Sequence, residues 1–297
     1  LGNGDTLVAM GGGPEKLQFY VNKNDLWLMI RTGESRPYPL ARLDLTVPDL
    51  KDASYHVEQD LLHAVTIGRF EKDGKSLTVE TAVAATEDLF WIKLVAKGGE
   101  FHGRANLRLP GQAEAPSKEP KETEPRFISS TSETQGDVQC VVRRSEEGVM
   151  TPAGAACAVR VFGGNSEFTV KPERPTLIVA TTASIFENKD FRNAAIARAA
   201  ALSHEDFAIL RKSHEQWWSG FWEKSFVEIP DKFLEQRYYL SQYVLASASR
   251  VHDFPPGLFG WVTTVVVHGI FITRSTGSRS IHDDGVNREN ETDSLRN

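Results

Sequence analysis

Between Leu17 and Ala183 the chain alternates short apolar runs with turn residues. LQFYV, WLMIR, ARLDLTV, HAVTIGRF, KSLTVETAVAA, LFWIKLVA, RANLRL, VQCVVRR, ACAVRVF, EFTV and TLIVATTA are separated by Gly, Pro and Asp. Several of them alternate apolar with polar residues, the mark of a strand with one buried face. So many strands must pair or cover their edges, which predicts a large antiparallel β-sandwich over residues 1–185. The stretch 110–126, PGQAEAPSKEPKETEPR, is rich in Pro, Glu and Lys with no apolar anchor and reads as a solvated insertion.

The period then switches from two to near four. DFRNAAIARAAAL is an Ala-rich helical entry, and from Ser203 onward Phe207, Leu210, His214, Trp217, Trp218 and Phe221 recur at spacings of three and four. Ser203 with Asp206 three residues later resembles a capping box with Asp in place of Glu. Trp217, Trp218, Phe221 and Trp222 load two turns with aromatic surface, each ring burying roughly 150–250 Å² when packed. Two uses fit: a helix clamped between two domains, or a platform on which sugar rings stack. Helical spacing favours interdomain packing. Residues 186–230 are therefore expected to be a helical linker.

In FLEQRYYLSQYVLASASR, Phe233, Leu240, Val244 and Ala248 share a side with Leu234, Tyr238 and Leu245. That apolar arc spans nearly half the helix, wider than a surface helix needs, and calls for neighbours on two sides. Pro255 and Pro256 end the helix, and Gly257 and Gly260 let the chain turn.

WWSGFWEKSFVEI, YYLSQYVLASASR and PPGLFGWVTT together resemble the junction in bacterial glycoside hydrolases with a six-hairpin (α/α)6 barrel, of the α-L-fucosidase type or a relative. The opening LGNGDTLVAMGGGPEKLQFYVNKNDLW is similar to the start of the same family's sandwich domain, with Asn22, Leu26 and Trp27 matching its Asn and Leu-Trp positions. The resemblance runs in order over residues 1–264. It implies a supersandwich-like β domain, the helical linker, and at 231–264 the first hairpin of a truncated (α/α)6 barrel. It implies action on O-glycosidic bonds of plant- or algal-type glycans, and export to the periplasm or outside the cell. It places Asn24, Asp25, Trp27 and Trp261 where substrate is met, and Trp217, Trp218, Phe221 and Trp222 at the interdomain packing. The family's catalytic groups lie deeper in the barrel, so no catalytic residue is assigned and this chain is expected to be inactive alone, with the barrel or a self-association surface as partner.

The pattern is lost after Thr264. Residues 265–297 turn polar, rich in Arg, Ser and Asn, and read as an aberrant or disordered tail, such as a frameshift would produce. Leu1 sits inside a motif rather than following a start Met, so a missing beginning is expected and the lack of a signal peptide says little.

Charge and composition narrow the alternatives. A net charge of −6 does not suit nucleic acid, which calls for clustered Lys and Arg. No run of ~20 apolar residues is present to span a membrane. Cys140 and Cys157 lie in two strand-like segments, either facing one another as a disulfide or buried as two free thiols. Asp25, Asp44, Asp49, Glu80, Asp88, Glu228, Asp231 and Asp253 are carboxylates with no spacing that singles out a pair. The histidines are scattered, His282-Asp283-Asp284 falls in the aberrant tail, and Gly11-Gly12-Gly13 is followed by Pro14 rather than a phosphate-binding Lys. Neither metal nor cofactor is expected. Two other classes stay open: a carbohydrate-binding or scaffolding sandwich without catalysis, and a sugar epimerase on a related supersandwich.

Overall fold

The computed structural model describes residues 1–29, 35–110, 128–146 and 148–250. The loop 110–126, apart from Pro110, as well as Trp261 and the tail 265–297, lies outside the described residues. The fold is mainly β, with three helices at its C-terminal side among the described residues. In chain order the strands are β1 (Thr6–Gly13), β2 (Lys16–Lys23), β3 (Trp27–Met29), β4 (Ser35–Pro37), β5 (Ala41–Thr46), β6 (Ser54–Asp60), β7 (Val65–Lys72), β8 (Lys75–Val83), β9 (Leu89–Lys97), β10 (Phe101–Arg108), β11 (Ile128–Gln135), β12 (Val138–Ser145), β13 (Gly154–Val161), β14 (Glu167–Val170) and β15 (Thr176–Ser184). Helices α1 (Phe191–Ala201), α2 (His204–Trp222) and α3 (Lys232–Ala248) follow.

Two antiparallel sheets form the sandwich: a five-stranded sheet ordered β1-β2-β5-β10-β14 and an eight-stranded sheet ordered β11-β12-β13-β15-β9-β8-β7-β6. Their facing sides carry the main core, including Phe19, Leu43, Leu45, Phe90, Ile92, Leu94 and Phe101. Phe19 and Phe90 meet across it with ring centres 5.2 Å apart. The outer side of the eight-stranded sheet is apolar as well. Leu89, Trp91, Leu177 and Val179 pack under α2, and Val138, Cys140, Ala156 and Ala158 pack under α1. This explains why TLIVATTAS of β15 is buried at every position instead of alternating: a sheet covered on both faces demands continuous apolar runs. Alanines on both sides, Ala156 and Ala158 of the sheet and Ala195 and Ala199 of α1, let the helix backbone come close.

The thiols do not face one another. In the β12–β13 register Cys140 is opposite Ala158 and Cys157 is opposite Val141. That offset of one residue puts the two side chains on opposite faces of the sheet. Cys140 lies under α1, Cys157 lies in the inter-sheet core, and both are free.

Helix α2 starts at Ser203, whose hydroxyl accepts the Asp206 amide at 3.1 Å while Asp206 accepts the Ser203 amide at 2.9 Å. The capping box is therefore present with Asp in the Glu position. Asp231 caps α3 by accepting the amides of Phe233 and Leu234. Helix α3 buries Tyr243, Ala246 and Ser247, while Phe233 and Leu245 are each 60% exposed and Leu234, Leu240 and Val244 are open beside them. Its wide apolar arc is thus covered on one side only.

Candidate functional site

The densest charge cluster lies where β2 ends. Lys23 has a side chain without solvent exposure, and its ammonium donates to Asp88 at 2.9 Å and contacts Asp5 and Glu187 more closely still. Four segments converge there. Asp5 precedes β1, Asp88 lies between β8 and β9, Glu187 follows β15, and Asp25 is two residues past Lys23 in the turn. The local pairing Thr6↔Lys23 brings the first of these alongside. Asp88 Oδ1 also accepts from Asn3 Nδ2 at 3.1 Å and from the Thr6 hydroxyl at 3.0 Å. Asp25 accepts the Ser184 hydroxyl, and Glu187 accepts the Ser184 amide at 2.9 Å.

Burial penalises the charges of Lys23, Asp5, Asp25 and Asp88, so neighbours decide the state of these four. Burial works against the Lys23 ammonium, yet the carboxylates of Asp88, Asp5, Asp25 and Glu187 outweigh it and hold Lys23 above its ordinary value. Burial, and then the Asp88 charge, push the Asp5 carboxyl up to about 8. Burial also raises Asp25. Asp88 is buried as well, but the Lys23 charge prevails and lowers it. Asp5 and Asp88 thus form a pair of carboxyls pushed apart, the signature of acid and base roles in many active sites. Structural ion-pair networks give the same signature, and neither cavity described below reaches this cluster. Oxygens of Asp5, Asp25 and Glu187 lie within 4.8 Å of one another, the spacing of a metal site. The Lys23 ammonium already contacts two of the three, so the cation at this position is the protein's own.

Asn24, Asp25 and Trp27 sit on the turn leaving this cluster. Asn24 and Asp25 are buried, Asn24 donating to the Gly4 carbonyl at 3.2 Å. Trp27 is half-buried, its indole N–H donating to the Asn24 carbonyl at 2.7 Å. Trp261 lies outside the described residues.

The aromatic seam of α2 fills the space between the sheet loops and α3. Trp218 is 1% exposed, and with Ala64, Ala85, Tyr243 and Ala246 it forms a separate small core flanked by Trp217, Phe221 and Trp222. Trp217 stacks on Phe221 with ring centres 5.6 Å apart and planes at 8°. The Arg250 guanidinium lies 3.6 Å from the Trp217 ring centre and donates to the Ala85 carbonyl at 2.7 Å. The Trp222 indole donates to the carbonyls of Leu61 and Leu62 at 3.1 Å. These ring faces meet protein groups, which fits packing better than an open sugar platform.

Two cavities lie elsewhere. One, of about 230 Å³, is lined by Asp60, His63, Glu80, Arg211, His214 and Glu215 over Trp91. Its polar groups pair internally: Asp60 with His63 at 2.7 Å, and Arg211 with Glu80 at 3.3 Å and Glu215 at 3.2 Å. Small-molecule pockets run from roughly 300 Å³ upward, so it is too small for an oligosaccharide. The other is a groove of about 1040 Å³ on the outer face of the five-stranded sheet, reaching round the edge strand β14 to Phe162 and His204.

The Lys23 cluster had a trace in the sequence that motif reading passes over. Asn-Lys-Asn-Asp closes the apolar run LQFYV, so a Lys at the end of a core strand needed a buried partner. Its partners at Asp88 and Glu187 are 65 and 164 residues away and belong to no local pattern.

No protein-family model and no curated protein matches the sequence. Among solved structures the chain is similar to a putative kojibiose phosphorylase from human microbiome, at 9% identity and a TM-score of 0.49, over 80% of this chain and 39% of that one. It is also similar to a bacterial glucoamylase complexed with acarbose, at 8% identity and a TM-score of 0.41, over 83% of this chain and 42% of that one. The chain spans about two fifths of the length of these structures. Likeness at this level identifies no activity.

Proposed function

We propose that this chain is the N-terminal portion of a carbohydrate-active enzyme that cleaves O-glycosidic bonds in a helical barrel seated on α3. The observation that carries the reading is the half-covered helix. One side of α3 lies on the aromatic seam of α2, and the other presents Phe233, Leu234, Leu240, Val244 and Leu245 to solvent. A contiguous apolar face of this kind marks an interaction surface. The first hairpin of an (α/α)6 barrel needs such a second neighbour, and the residues resembling that family's junction are the ones that build the seam and the helix.

In this reading the sandwich carries no catalytic pair. Glycoside hydrolysis takes two carboxyls flanking the bond, ~5 to 9.5 Å apart depending on the stereochemical course. The split pair Asp5 and Asp88 is locked onto Lys23 away from both cavities, so its work is to fix the turn that carries Trp27. Trp27 is the sugar-facing group of that turn, with Asn24 and Asp25 holding it in place. Trp217, Trp218, Phe221 and Trp222 transmit the sandwich's position to the barrel.

The test reads the source DNA through and beyond codon 264 in all three frames, then assays the chain with any continuation found against aryl glycosides and neutral oligosaccharides. A long helical continuation with glycosidic turnover, absent from the 297-residue chain, is the expected result. Absence of a helical continuation in every frame removes the reading and leaves a non-catalytic sandwich.

A further inference from the structure

We infer that the outer face of the five-stranded sheet is a binding groove for an acidic oligosaccharide, one bearing uronate carboxylates or sulfate esters. This site goes beyond the proposed catalytic role: its anionic half rests on the groove alone, and its sugar half rests on the carbohydrate reading above.

The strand register lays out the face. Lys16, Thr46 and Arg104 stand side by side across β2, β5 and β10; Gln18, Asp44 and Asn106 form the next row, and Tyr20, Arg42 and Arg108 the third. The residues between them, Leu17, Leu45 and Ala105 or Phe19, Leu43 and Leu107, point the other way into the core. Lys16 and Arg104 are two strand spacings apart, about 10 Å. Cations converge here: Lys16 at 3.4 Å, Arg42 at 2.8 Å and Arg108 at 3.3 Å all approach the one buried carboxylate of Asp44. The groove is lined by five Lys and Arg residues against two Glu. Arg104 pairs with Glu167 and Lys171 with Glu100 at 3.7 Å, so the surplus of positive charge lies with Lys16, Arg42 and Arg108, three cations around the single carboxylate of Asp44.

A surface of this kind focuses anions, and arginine matches carboxylate and sulfate geometry with paired N–H groups. The amide of Asn106 and the hydroxyls of Thr46 and Thr169, all lining the groove, supply neutral partners of the kind sugar hydroxyls use. The groove is also roomy enough for more than one ring, at about 1040 Å³. Nucleic acid fits worse. It needs many more phosphate contacts, and single strands need exposed aromatic faces for stacking. Of the two phenylalanines at the groove, Phe168 is buried in the core, and Phe162 is half-buried with Arg160 over its ring and His204 beside it.

Isothermal titration of the purified chain with trigalacturonate, a sulfated trisaccharide, maltotriose, sodium sulfate and an oligothymidylate tests the assignment. The expected result is binding of an acidic trimer, weakening steeply with salt, with no measurable binding of maltotriose. The Arg104→Gln/Arg174→Gln variant, both sites exposed at the groove, should bind at least tenfold more weakly while keeping its circular dichroism and melting temperature. Equal binding of maltotriose overturns the anionic half. Equal affinity for sulfate alone, tighter binding of oligothymidylate, or no binding of either acidic trimer at millimolar concentration overturns the proposal. None of these outcomes bears on hydrolysis of neutral glycosides, so failure here is distinct from failure of the enzymatic reading.

Discussion

His214 Nδ1 accepts the backbone N–H of Ala85 at 3.2 Å, across 129 residues of chain. Its other nitrogen lies 2.8 Å from the His63 carbonyl, which can only accept. The two partners together fix the neutral imidazole with its hydrogen on Nε2. This ring sits edge-on to Trp91, ring centres 5.0 Å apart, and joins α2 to two loops of the eight-stranded sheet.

Protonating His214 would cost the bond from Ala85, and burial pushes its pKa down to about 4. The folded value lies below the unfolded value near 6.5. The unfolded chain therefore binds a proton between pH 6.5 and 4 that the folded chain refuses. Stability from this group is complete above about 6.5 and falls by about 3 kcal/mol on the way to pH 4. Urea midpoints at pH 7 and 4.5 should show the decline, and His214→Gln should flatten it. An unchanged slope in the variant would mean that His214 is not the titrating group.

Lys23 gives a second test. Replacing it by Met leaves the buried Asp25, the half-buried Asp5 and Asp88 and the more exposed Glu187 crowded together with no cation. Removing one partner from a buried ion pair costs about 3–5 kcal/mol. The denaturation midpoint of Lys23→Met should fall accordingly, and a fall within error of zero would show the cluster to be solvated.

Asp5 carries the opposite pH sign. Its folded pKa is raised to about 8, above its unfolded value. Between pH 4 and 8 the unfolded chain releases its proton first, so the contribution of Asp5 is complete at low pH and lost as pH rises through about 8. Asn imitates the protonated form. Asp5→Asn should melt with the parent protein at pH 4.5 and above it at pH 8.5. Equal melting temperatures at both pH values would show that Asp5 stays ionised.

These groups also show what the sequence could carry. The sandwich was legible because strand alternation and turn residues are local, and so was the capping of α2 by Ser203 and Asp206. The strand β15 was legible as the run TLIVATTA, but its burial on both faces was not, because three Thr and a Ser interrupt the apolar residues and the covering helices lie outside any local period. The joining of Lys23 to Asp88 and of His214 to Ala85 was not, because each depends on a sheet order that no local period encodes. The grid of Arg42, Asp44 and Arg108 lies between those cases. ARLDLT and RANLRL each alternate visibly, but only the register brings their charged sides together.

The two thiols should remain unlinked and unreactive. Burial pushes Cys140 up to about 12 and raises Cys157 as well, and Cys157 has no solvent exposure. The thiolate is the reactive form, so both should resist an aromatic disulfide reagent until the chain unfolds. Dithiothreitol should leave the melting temperature unchanged. A drop would indicate a bridge that the β12–β13 register does not permit.

The open side of α3 makes the last prediction. Phe233 and Leu245 are each 60% exposed, so changing both to Ser removes little buried area, and exposed substitutions usually move stability by only about 0.5 kcal/mol. Trp218, at 1% exposure in the seam beneath, is the contrasting site: Trp218→Ala should cost about 3–5 kcal/mol. If the exposed face is a docking surface, the Phe233→Ser/Leu245→Ser variant should keep its melting temperature yet lose concentration-dependent association in sedimentation velocity. Loss of folding in that variant would show that the open side belongs to this domain's own core. Unchanged association would show that the chain sticks to itself through some other surface.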